Sequence, residues 1–183
     1  MRIPYARQSI NNKDLEEVNS VLSSPFIARG PTTEIFEKKL IKYTGAKFAC
    51  ALSSATAGLH IACLSLGLNK GDFLWTSPIT FVASANCGKY CGANVDFVDI
   101  DLETGLISVK SLSTKLKAAR KTKSLPKILV VTHLAGQPCD MKEIYLLSKK
   151  YNFKIIEDAS HAIGAKYKKN KIGNCRYSDI AVF

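Results

Sequence analysis

Ile128-Leu129-Val130-Val131, running out into His133-Leu134-Ala135-Gly136, is the stretch whose reading decides the fold. Four apolar residues without polar alternation suit a strand covered on both faces, as a parallel strand must be. A helical period follows from Met141 to Tyr151. A second apolar run, Phe153 to Ile156, then ends in Glu157-Asp158. Strand, helix, strand at this spacing is a parallel unit.

The same alternation extends in both directions. Upstream, the pattern predicts strands at Phe73 to Thr76 and Val95 to Val98. Helices are expected at Thr80 to Tyr90 and Leu112 to Lys121. Phe48 to Leu52 reads as a short strand before Ser53-Ser54-Ala55-Thr56. The helix after it turns Leu59, Cys63 and Leu66 inward and is closed by Gly67. Asn12 is a candidate cap for a helix bearing Leu15, Val18 and Leu22, stopped by Pro25. A helix from Thr33 to Tyr43 should turn Ile35, Phe36 and Leu40 inward. Downstream, a basic hairpin with Gly173 near its turn precedes a strand from Ile180 to Phe183. The class is therefore α/β, a mostly parallel sheet flanked by helices. Because the chain stops on an apolar strand, we expect a sequence incomplete at its C-terminus.

Composition narrows the function. The 183 residues are 46% hydrophobic and 22% charged, which excludes a disordered or collagen-like chain. Apolar runs are too short to span a bilayer, and Met1-Arg2-Ile3-Pro4-Tyr5 lacks a signal-peptide core, so no membrane and a cytoplasmic location are expected. The net charge is +11, which raises a basic nucleic-acid-binding module as an alternative. Seven Lys/Arg and no acid lie between Lys110 and Lys127, with more from Lys166 to Arg176. No recognition element accompanies them, so solvated faces explain them and no nucleic-acid partner is expected. The six cysteines, without Cys-x-x-Cys spacing, read as reduced and mostly packed, and no metal site is expected.

In open α/β sheets, ligands bind beyond the C-terminal strand ends. Ser53-Ser54-Ala55-Thr56-Ala57-Gly58 opens a helix with small residues and suits either an anion or a plain N-cap. Phe81 is either a plate for a planar ligand or core. His133 is a ligand, an acid/base or a packed imidazole, and Gln137 a neutral polar group on the same turn. At Glu157-Asp158-Ala159-Ser160-His161, a strand carries a carboxylate to its tip, with an imidazole three residues on. A carboxylate buried there needs a cation, unless it caps the next helix. An anion nest, an aromatic plate, a carboxylate and an imidazole together suit a phosphorylated aromatic cofactor such as pyridoxal phosphate.

Several long stretches in order carry a resemblance. They are Leu74 to Cys87 (LWTSPITFVASANC), His133 to Met141 (HLAGQPCDM), Glu157 to Gly164 (EDASHAIG) and Cys175 to Ile180 (CRYSDI). Over Tyr5 to Phe183 the chain resembles the DegT/DnrJ/EryC1/StrS sugar aminotransferases of pyridoxal-phosphate fold type I, most of all those serving pseudaminic acid biosynthesis. The resemblance implies that residues 1–183 are the N-terminal part of the cofactor-binding large domain. The rest of that domain and a small C-terminal domain would be absent. It implies that Asp158 keeps the pyridine nitrogen protonated, making the ring an electron sink. Ala55 and Thr56 would hold the phosphate through their backbones, Phe81 would stack on the ring, and His161 would lie near the phenolic oxygen. Many members have Gln where this chain has His161. Tyr5, Phe26, Ile27 and Ala28 would shape the sugar-nucleotide pocket, although Ala28-Arg29-Gly30-Pro31 stands where relatives commonly have Thr-Gln-Gly-Pro.

The lysine that binds the cofactor covalently would fall past Phe183, so these 183 residues alone are expected to be inactive. The activity implied for the complete enzyme moves an amino group, from L-glutamate as donor, to the C4 keto group of a UDP-linked 6-deoxy-N-acetylhexosulose. The enzyme would be a homodimer. The alternatives are a dTDP- or GDP-sugar aminotransferase, or a sugar dehydratase of the same fold with His in place of that lysine.

Overall fold

A computed structural model describes residues 7–183. Its centre is a parallel sheet of five strands: β1 (Phe73–Thr76), β2 (Asn94–Phe97), β3 (Ile128–Thr132), β4 (Lys154–Asp158) and β7 (Ile180–Val182). They are ordered β2-β1-β3-β4-β7. A small antiparallel hairpin, β5 (Lys166–Tyr167) and β6 (Asn170–Lys171), stands apart. The helices are α1 (Asn12–Leu22), α2 (Pro31–Thr44), α3 (Ala55–Ser65), α4 (Ala83–Tyr90), α5 (Val109–Thr122) and α6 (Met141–Tyr151).

Strand parity sorts the side chains into two layers, since successive residues face opposite sides of a sheet. Ile128, Val130, Ile156 and Val182 pack with Leu59 and Cys63 of α3 and Cys87 of α4. Leu129, Val131 and Ile155 pack on the other face with Leu112 and Leu116 of α5 and Ile144 of α6. Gly58 and Gly88 let α3 and α4 lie close to the sheet. A Cβ on Gly58 would meet Val182 at 2.8 Å, and one on Gly88 would meet Val95 at 2.9 Å.

The sheet runs one way from β1 to β2 and the other way from β1 to β3, so the chain reverses direction at β1. The loops leaving β1 and β3 therefore part, and a crevice opens between them.

Several expectations are corrected. Phe48 to Leu52 is not a strand, because no described strand pairs with it. The N–H of Ala51 goes instead to Oε1 of Glu37, 2.8 Å away. Asn11, not Asn12, caps α1, forming a reciprocal capping box with Asp14. The helix after β1 begins at Ala83 rather than Thr80. In the hairpin, Lys168 with φ 56° lies at the turn, and Gly173 follows β6. Leu15, Val18, Leu22, Ile35 and Phe36 form exposed stripes instead of facing inward. An apolar stripe states that a helix wants a partner, not which one.

The basic segment is partly paired. Lys115 reaches Asp96 at 2.6 Å and Lys127 reaches Asp72 at 2.8 Å. All six cysteines are free; Cys63, Cys87 and Cys139 are buried and Cys50 is exposed. No described group of His, Cys, Asp or Glu could hold a metal ion.

Leu129 lies in the middle strand under α5 and α6 and is fully buried. Leu129→Ala should lower unfolding free energy by about 2–5 kcal/mol, read as a shift of the urea midpoint.

Candidate active site

Where the tips of β1, β3 and β4 meet the N-terminus of α3, a cavity of about 560 Å³ opens. Its wall includes Ala55, Thr56, Phe81, Thr132, Asp158 and His161. The structure thus brings together five residues singled out in the sequence: Ala55, Thr56, Phe81, Asp158 and His161. Phe26, Ile27 and Ala28 are exposed and are not in this wall. Tyr5 lies outside the described residues.

One end of the cavity is electropositive by geometry. Ser54 caps α3, its Oγ accepting the N–H of Ala57 at 3.1 Å. The N–H of Gly58 goes to the carbonyl of Ser54. The first N–H groups of the helix, on Ala55 and Thr56, precede any intrahelical acceptor, and the helix dipole adds to them. The N-cap reading and the anion reading are therefore both served by one turn.

The wall also carries an acid. Asp158 has the parity of Ile156, so β4 delivers it to the α3/α4 side, where it is only 4% exposed. Its Oδ2 accepts the Ser84 hydroxyl at 2.5 Å, and its Oδ1 accepts the Ser160 hydroxyl at 2.7 Å. Thr80 Oγ1 lies 2.9 Å from Ser84 Oγ and 2.8 Å from Thr132 Oγ1. No Lys or Arg forms an ion pair with Asp158 among the described residues. A carboxylate held only by neutral donors keeps its full charge for a ligand cation.

Phe81, 70% exposed, presents a ring at the mouth. His161 also lines the wall, and its Nδ1 accepts the N–H of Ala135 at 3.3 Å. Ala135 has φ 53°, a conformation that costs an alanine about 1 kcal/mol or more, and this hydrogen bond helps to hold it.

His133 is not part of the cavity wall. It is fully buried, its Nδ1 accepts the N–H of Cys139 at 3.2 Å, and its Nε2 lies 2.8 Å from Glu157 Oε2. An Nδ1 that accepts leaves the proton on Nε2, so the imidazole donates to Glu157. Ser178 donates to the other Glu157 oxygen. Glu157 has the parity of Ile155 and lies on the α5/α6 side, so the two neighbouring acids face opposite layers. Burial pushes the Cys139 thiol up to about 12, with the Glu157 and Asp140 charges adding to it.

Sequence reasoning missed Ser84, Thr80 and Thr132 as the groups around Asp158. Thr80 lies in the loop before α4, so no helical spacing in the sequence could have linked it to Ser84.

Two outcomes follow. His133→Phe strands the buried Glu157 and should cost about 3 kcal/mol of stability by urea unfolding. At pH 8, a native-state alkylation mass assay should label Cys50, while Cys63, Cys87 and Cys139 should react only after denaturation.

The family model for the DegT/DnrJ/EryC1/StrS aminotransferase family matches residues 8–183. The chain is 38% identical over 181 residues to the UDP-4-amino-4,6-dideoxy-N-acetyl-beta-L-altrosamine transaminase of Campylobacter jejuni (99% of this chain, 46% of the relative). It is 37% identical over 182 residues to the GDP-perosamine synthase of Escherichia coli O157:H7 (99% and 48%). Among solved structures it is similar to a Streptococcus pneumoniae protein named for sugar aminotransferase activity, in its PLP form. The TM-score is 0.85 at 26% identity, covering 99% of this chain and 48% of that one. The chain thus spans about half the length of the curated relatives it matches. With the match running through the crevice strands and every residue of the cavity wall, this chain belongs to the DegT/DnrJ/EryC1/StrS aminotransferase family.

Proposed function

We propose that the full-length protein is a pyridoxal-phosphate-dependent aminotransferase of nucleotide sugars. Its amino donor is L-glutamate and its acceptor is the C4 keto group of a UDP-linked 6-deoxy-N-acetylhexosulose, on the route to pseudaminic acid. The observation that carries this reading is Asp158: a buried carboxylate without a Lys or Arg partner among the described residues, lining a cavity that the N-terminus of α3 also lines. The residues present fit the cofactor. Asp158 would pair with a protonated ring nitrogen, the α3 N-terminus would take the phosphate, and Phe81 would cover the ring. When bound, the cofactor supplies an electron sink for transfer of the amino group.

This chain's own residues bind, orient and shield. Asp158 holds the proton on the ring nitrogen. His161, whose Nδ1 accepts the N–H of Ala135, would lie near the phenolic oxygen. Among the described residues the cavity wall contains no lysine, so on this reading the 183 residues alone bind the cofactor reversibly and turn over no glutamate. Phe26, Ile27, Ala28 and Tyr5 belong to the sugar-nucleotide end, in an enzyme that works as a cytoplasmic homodimer. No described helix is long and apolar enough to cross a membrane.

The similarity to the UDP-altrosamine transaminase favours the UDP-linked acceptor, and the similarity to GDP-perosamine synthase, at nearly the same identity, supports a GDP-linked second reading. A panel of UDP-, GDP- and dTDP-linked 4-keto sugars, each incubated with full-length protein and L-glutamate, separates them. We expect the UDP-linked acetamido sugar to give the largest kcat/KM. A preference for the GDP sugar overturns the substrate class, and dehydration without amine transfer overturns the reaction. Asp158→Asn should lower kcat by about 100-fold or more, because a neutral amide no longer holds the ring proton.

A further inference from the structure

The hydroxyls around Asp158 form a chain whose direction is fixed by the acid at its end. Ser84 is fully buried on α4 and has one hydroxyl proton, which it gives to Asp158 Oδ2 at 2.5 Å. Its 2.9 Å contact with Thr80 must then be donated by Thr80. Thr80 has spent its own single proton, so the 2.8 Å contact with Thr132 must be donated by Thr132. The order is Thr132 to Thr80 to Ser84 to Asp158, joining the tip of β3, the loop after β1, α4 and the tip of β4. Each link is polarised by the next, and the series ends on a charge.

We infer that Ser84 and Thr80 are positioning residues that hold the Asp158 carboxyl group aimed at the cavity, and so set the site's affinity for a protonated heterocyclic nitrogen. The inference rests on the proposed cofactor and assigns to two further side chains the tuning of its ring end. The device differs from a salt bridge in one consequence. An internal Lys or Arg would also hold the carboxylate, but would neutralise the charge the ligand needs. Hydroxyls lower the cost of burying the anion and leave its charge available. Ser160 donates to the other Asp158 oxygen in the same manner, through its hydroxyl at 2.7 Å and its N–H at 3.3 Å.

The test uses full-length protein and pyridoxamine phosphate, whose amine cannot bond covalently to a lysine. Inorganic phosphate serves as a competitor that reports the α3 end alone. Ser84→Ala should weaken pyridoxamine phosphate by about tenfold or more, the loss of one hydrogen bond to a charged acceptor. Thr80→Val should weaken it less, about threefold, since Ser84 still donates. Thr80→Ser, which keeps the hydroxyl, should restore binding to within about twofold of the parent.

The competition constant of inorganic phosphate should stay within about twofold of the parent in all three, and thermal unfolding should remain cooperative. Equal loss of pyridoxamine phosphate and inorganic phosphate would show a merely structural role and overturn the inference. So would unchanged pyridoxamine phosphate affinity in Ser84→Ala, or a Thr80→Ser variant as weak as Thr80→Val. A parent protein that binds no pyridoxamine phosphate at all overturns the proposed function together with this inference, which distinguishes that failure from the others.

Discussion

The site depends on one constraint: a carboxylate must stay charged at the buried end of an apolar strand. Moving such a group out of water costs several kcal/mol unless other groups replace the lost hydration. Here the replacement is entirely neutral, from Ser84 and Ser160 directly and from Thr80 and Thr132 behind Ser84. That need explains why polar side chains interrupt the small apolar packing of α4 and why β3 ends in threonine rather than a fifth branched aliphatic. It also ties the cavity to the sheet. Asp158 points at the crevice only because β4 remains in register with β3, Thr132 opposite Asp158.

Strand parity then separates two acids that the chain places side by side. Asp158 faces α3 and α4 and the cavity; Glu157 faces α5 and α6 and closes on His133 and Ser178. A register slip of one residue would exchange them. His133 and Glu157 therefore do structural work next to the site. They fix the start of the Leu134–Gly136 turn, whose Ala135 in turn meets His161. The wall of the cavity is held from behind the sheet as much as from within it.

Much of this was legible in the sequence because the deciding signals are local. Ile128 to Val131 and Phe153 to Ile156 carry their own burial, and the carboxylate at the tip of the second run announces itself by being out of place there. The family motifs added roles for Ala55, Thr56, Phe81 and His161, all of which lie in the cavity wall. What was not legible depended on pairing across distance. Phe48 to Leu52 has the composition of a strand, but a strand exists only beside another. The stripes of α1 and α2 state an appetite for burial without an address. Ser84 reads as one small residue among several in Ala83-Ser84-Ala85, and only the fold brings it onto the acid it serves, 74 positions away.

The choice of hydroxyls over a basic side chain is also a statement about what the cavity is for. This chain has 26 Lys and Arg against 15 acids, so a cation for Asp158 was not scarce. Lys115 and Lys127 are used in that way elsewhere, closing on Asp96 and Asp72 where charge has only to be satisfied. Among the described residues no Lys or Arg closes on Asp158, inside a molecule whose overall charge is +11. An anion maintained against that background attracts a cation more strongly than a surface carboxylate does, because little water is present to screen it. The strength of the site thus comes less from the carboxylate itself than from the lack, among the described residues, of a Lys or Arg that closes on it.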